Sequence, residues 1–164
     1  MLSDRVESRL PMATLRSSLT RTPVQTAAFA VGVGFVVAGV LGFIPGITRR
    51  FDMLGPAGLD SGAMLVGVFE VSVLHNVVHL LFGVAGVICA RRGYTAHLYL
   101  IFGGMIYLVM WLYGFLVDRE SPANFMPVND ADNWLHLGLG VGMIGLGALL
   151  RSRRQRDLSK PRRR

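Results

Sequence analysis

Residues 75–86 read HNVVHLLFGVAG, with His75, Asn76 and His79 set into one end of an otherwise apolar run. Around it, Lys, Arg, Asp and Glu are absent from Val71 to Ala90, and they are absent again from Gln25–Ile47, Tyr94–Val117 and Asn133–Leu150. In chain order the four windows hold 23, 20, 24 and 18 residues. A hydrocarbon core of ~30 Å takes roughly 20 residues of helix to cross, so each window has about the right length. The runs are continuous, unlike the alternating segments of about ten residues that a β-barrel needs, and in lipid only a helix then satisfies the backbone. The expectation is an all-α membrane protein, a bundle of four transmembrane helices.

Composition agrees. The 164 residues are 52% hydrophobic and 16% charged, with a mean hydropathy of +0.48, where a soluble domain carries about 25% charged residues. The expected spans cover about 25–47, 64–90, 94–117 and 132–150, between an N-terminal tail, 1–24, and a polybasic C-terminal tail, 151–164. The first apolar run is too long for a secretory signal, and its end, GFIPGITRR, lacks the small-residue pattern of a cleavage site. It reads as a retained anchor. Cys89 is the single cysteine and reads as a packing residue.

Basic residues set the expected orientation. Four lie in the N-terminal tail (Arg5, Arg9, Arg16, Arg21), two in the Arg91–Arg92 turn and eight in the C-terminal tail, which puts fourteen on one side; Arg49, Arg50 and Arg119 make three on the other. Short segments rich in Lys and Arg stay cytoplasmic, so both termini are expected there. Trp111, Tyr113 and Trp134 fall toward the outer ends of their spans and Tyr94 at an inner one, as interfacial anchors do. Asn129 or Asp130 is placed to cap the fourth helix. Glu70 and His97 are expected in the headgroup regions. Arg151, Arg153, Arg154 and Arg156, at the root of the tail, are expected on anionic lipid headgroups. No aromatic or folded reader accompanies that charge, so nucleic acid is not an expected partner.

The polar residues of the opening stretch recur. Asn76-x-x-His79-Leu80-x-x-Gly83-Val84 aligns without gaps on Asn133-x-x-His136-Leu137-x-x-Gly140-Val141. The copies lie on the second and fourth spans, which run in the same direction, as two duplicated hairpins would place them. His75, Asn76 and His79 share one helix face, continued by Gly83, Gly86 and Ala90; His136, Gly140 and Gly147 form the matching stripe, interrupted by Met143. Ala30-x-x-x-Gly34 and Ala38-x-x-x-Gly42 suggest a similar smooth face on the first span. Small residues let helices approach in lipid and buried polar side chains bond across the seam, so the second and fourth helices are expected to touch. His75, Asn76, His79, Asn133 and His136 are the expected polar bundle contacts.

Two chemistries compete for the histidines. Neutral imidazole both donates and accepts, so the plainer reading is interhelical bonding. The sharper reading is a b-type haem or quinone redox carrier with His79 and His136 as ligands, because haem iron accepts imidazole nitrogen and a glycine one turn away leaves room for a flat ring. No Cys-x-x-Cys-His, Walker loop, G-x-S-x-G or H-E-x-x-H is present. No catalytic residue or metal ligand is therefore assigned.

Four segments in order, GVLGFIPGIT, HNVVHLLFGVAG, YLVMWLYGF and PVNDADNWLHLGLGVGMIGLG, resemble the bacterial domain of unknown function 4383 family over about residues 25–150. The resemblance implies a small four-span protein of the bacterial cell membrane and supplies no activity. The combined expectation is a non-enzymatic assembly or stress-related membrane component, working through a second copy of itself or another membrane protein.

Overall fold

The computed structural model describes residues 21–58 and 61–150. Among them are four helices: α1 (Pro23–Leu41), α2 (Val73–Cys89), α3 (Gly93–Leu116) and α4 (Asp130–Leu149). A three-stranded antiparallel sheet, β1 (Thr48–Arg49), β2 (Ala63–Leu65) and β3 (Phe69–Val71), is inserted between α1 and α2. The tails 1–20 and 151–164, with Arg151, Arg153, Arg154 and Arg156, lie outside the described residues.

The sheet corrects the reading of 64–90 as one helical span. Apolar sequence does run from Ala63 into α2, but Val66 and Gly67 take positive φ (48° and 75°) and turn the chain, pairing Leu65 with Phe69 and Ala63 with Val71. Ser72 then starts the helix, its hydroxyl oxygen accepting the His75 N–H at 3.1 Å. Ala63, Leu65 and Val71 form a small core against Leu41 and Ile47. Thr48 donates to the Leu41 carbonyl at 3.0 Å, joining the sheet to the end of α1.

Two helices, Pro23–Leu41 and Gly93–Leu116, are long and apolar enough to cross a membrane, and Val73–Cys89 is a shorter apolar helix. The helices pair as hairpins, α1 with α2 and α3 with α4, and packing is far denser within each pair than between them. Close approach explains this. A Cβ on Gly83 would stand 2.6 Å from the Val36 nitrogen and 2.7 Å from the Gly32 oxygen; one on Gly104 would stand 2.7 Å from the Gly140 oxygen. Backbone therefore meets backbone in each hairpin.

The face of α1 differs from the expected one. Ala28, Gly32, Phe35 and Gly39 are buried, while Ala30 and Gly34 are exposed. Because α1 is apolar all round, polarity does not mark its buried face. The hairpins also meet mainly through α1 and α3, not α2 and α4.

At the α2–α3 turn, side chains take up the free helix-end carbonyls. Gln25 donates to the Ala90 and Arg91 oxygens at 3.1 and 2.9 Å, and Thr95 to the Cys89 oxygen at 2.6 Å. His97 lies with Nδ1 2.9 Å from the Gly147 oxygen, to which it donates. At the opposite end Asn129 caps α4, accepting the Asp132 N–H at 2.9 Å.

Candidate functional site

Asn76 and His79 come one turn apart from α2, and Asn133 and His136 come one turn apart from α4, at the end of the molecule that carries the sheet. Asn76 is 0% exposed and packs on Gly42 at the end of α1; Asn133, also buried, packs on Gly114 near the end of α3. Each repeated Asn thus rests on a glycine of the partner helix in its own hairpin.

The histidines converge. The His75 and His79 ring centroids are 4.5 Å apart, and His75 reaches across to His136 at 6.4 Å. In the first hairpin Phe35 lies against His79 at 5.6 Å; in the second, Tyr107 lies against His136 at 5.4 Å. Phe35 and Tyr107 themselves stack at 5.1 Å, with 19° between their planes. The result is a column, His79, Phe35, Tyr107, His136, running between the two repeats.

This correspondence extends to a pattern that the sequence reading did not single out, although it named Gly42. Gly32 and Phe35 of α1 with Gly42 just past its end occupy the same spacing as Gly104, Tyr107 and Gly114 of α3. The signal was present as G-x-x-[F/Y] followed by a glycine seven residues on. The expected second–fourth contact is reduced to rings, His75 to His136.

The imidazoles border a cavity of about 290 Å³ on one side and a smaller one of about 70 Å³ on the other. The larger is walled by α1 and α4, with Leu65, Phe69 and Val71 of the sheet over it. Buried without a hydrogen-bond partner are Nδ1 of His75, His79 and His136, both amide atoms of Asn76, and Oδ1 of Asn133. Buried polar atoms ordinarily find partners, so this concentration sets the site apart. Among the described residues no group of three or more His, Cys, Asp or Glu is arranged to hold a metal ion.

Asp132 also borders the larger cavity and ties the sheet to the helices. Its Oδ2 accepts the Glu70 N–H at 2.8 Å and the Asn129 N–H at 3.1 Å, while Asn129 Nδ2 donates to the Val68 oxygen at 2.7 Å. Glu70, on β3, is half-buried, and burial holds its carboxyl above the ordinary value of 4.5 although Arg50 and Arg119 pull the other way.

No curated protein and no solved structure matches the chain. A family model does, across residues 25–149, and the chain accordingly belongs to the domain of unknown function 4383 family.

Proposed function

We propose that the protein is a four-span integral component of the bacterial cell membrane, with both termini cytoplasmic, acting by contact and binding rather than by catalysis. The observation that carries this reading is the outward apolar surface of every helix. Val37, Leu81, Phe102, Leu116 and Leu149 are all exposed, Leu116 and Leu149 by 76% and 77%. Apolar surface spread over all four helices far exceeds what a soluble monomer tolerates and suits a lipid surround. The two long apolar helices, and interfacial aromatics such as Trp134 and Tyr94, add support. Arg151, Arg153, Arg154 and Arg156 would rest on anionic headgroups. An assembly or stress-related role, through a second copy or another membrane protein, accords with the exposed helix faces.

Washing membranes at alkaline pH tests the location: the chain should stay with the lipid fraction and need detergent for release, and reporters fused to either terminus should both read cytoplasmic. Release into the aqueous fraction, or a terminus outside, defeats the reading.

A second reading, the redox carrier at His79 and His136, is favoured by the burial of unpartnered imidazoles. Its haem form fits the packing poorly. A macrocycle ligated by both histidines has to lie between them, where Phe35 and Tyr107 already stack.

A further inference from the structure

We infer that the larger cavity is a binding site for a neutral, flat-ringed, lipid-soluble molecule with carbonyl or hydroxyl groups, the chemistry of an isoprenoid quinone or quinol. This rests on the membrane reading and names the ligand class of the same site. Three observations carry it. His75 and His136 are only 3% and 4% exposed, border the cavity, and leave Nδ1 without a partner. The rings of His75, His79 and His136 border the cavity, and a neutral imidazole carries one N–H and one acceptor nitrogen, so a ligand oxygen beside them meets a donor or an acceptor according to tautomer.

Charge narrows the class. Among the described residues no Lys or Arg lines the cavity, so a phosphate or carboxylate would enter without a counter-charge from them. Asp132, the one lining carboxylate among the described residues, is already engaged by two backbone N–H groups. Phe35, Phe69 and Tyr107 supply flat apolar wall.

Size and access complete the fit. About 290 Å³ lies at the lower edge of small-molecule sites, room for a single-ring head with its tail outside. The cavity lies between α1 and α4, where Gly34 and Ala38 line it. A Cβ added at Gly34 would meet nothing within 4 Å. That gap gives an apolar tail a path to the lipid-facing surface.

The test is nitrogen NMR of the full-length protein, labelled with ¹⁵N-histidine, in detergent micelles titrated with decylubiquinone. The chain has four histidines, so three should shift saturably. His97, whose Nδ1 is bonded to Gly147, should not. Gly34→Leu should weaken the response at least tenfold, and Gly138→Leu, on an open face away from the cavity, should leave it unchanged. An equal concentration of short-chain phosphatidylglycerol should not displace the quinone. The inference falls if the three histidines do not shift, if Gly34→Leu has no effect, or if phosphatidylglycerol competes as well. Recovery of the chain in an aqueous fraction would defeat the membrane reading separately and leave the titration result intact.

Discussion

Single residues divide into those that touch backbone and those that touch nothing, and the difference is measurable. Adding a methyl at Gly83 drives it into the Val36 nitrogen and the Gly32 oxygen, neither of which can swing away. Gly83→Ala should therefore cost about 1–3 kcal/mol, the usual penalty for overpacking. At Gly140 the two nearest atoms belong to the Leu108 side chain, at 2.6 and 2.8 Å, and the Gly104 oxygen stands farther off at 3.1 Å, so Gly140→Ala should cost less than Gly83→Ala. Gly142→Ala, where the space is open, should gain up to about 1 kcal/mol from helix propensity. Thermal unfolding in one detergent ranks all three; equal losses would mean that the helices do not meet where described. Asn76 makes a different point. Buried and without partners for either amide atom, it carries an uncompensated desolvation cost. Asn76→Val, which drops the amide at a modest gain in volume, should leave the protein within about 1 kcal/mol of the parent. A larger loss would show that the amide is bonded.

At the scale of elements, the sheet depends on Asp132. Two backbone N–H groups end on its Oδ2, one from β3 and one from the cap of α4. Hydrogen bonds of this kind contribute about 0.5–1.5 kcal/mol each. Asp132→Ala should thus loosen β2 and β3 well before the helices, seen as faster amide exchange at 63–71, whereas Asp132→Asn, which keeps an acceptor, should do so less. Glu70 adds a pH dependence. Its proton is held to higher pH in the fold than in the unfolded chain, so its contribution to stability is present at low pH and is lost as pH rises past about 4.5. Glu70→Gln should match the parent near pH 4 and exceed it at pH 8, by comparison of melting curves. Apart from the Asn129 cap of α4, none of this was legible in the sequence, where residues 63–71 are apolar and almost free of charge and so continue the α2 pattern. Short apolar runs do not distinguish strand from helix by period; the turn at Val66–Gly67 and the cap at Ser72 decide it.

Across the whole molecule the duplication was half legible. The Asn-x-x-His copies stand out because polar residues are rare in apolar runs, whereas Gly32, Phe35 and Gly42 are lost among the other small and apolar residues of the first span, and only contacts reveal that they match Gly104, Tyr107 and Gly114. The inserted sheet also lengthens the first connection, so the α1–α2 spacing does not repeat between α3 and α4. The physical consequence is that the halves meet at equivalent rings, Phe35 on Tyr107. Either ring replaced by alanine should cost about 3–5 kcal/mol, as buried aromatic truncations do. The double variant should fall short of the sum by about 0.5–1.5 kcal/mol, the range for a paired aromatic contact. Conservative exchange should behave otherwise: Phe35→Tyr with Tyr107→Phe swaps the two positions between the repeats. If the halves are equivalent about this stack, the swapped protein should fold and melt near the parent, since it conserves ring volume and stacking. A swap as damaging as either alanine would mean that each ring is fitted to its own hairpin alone.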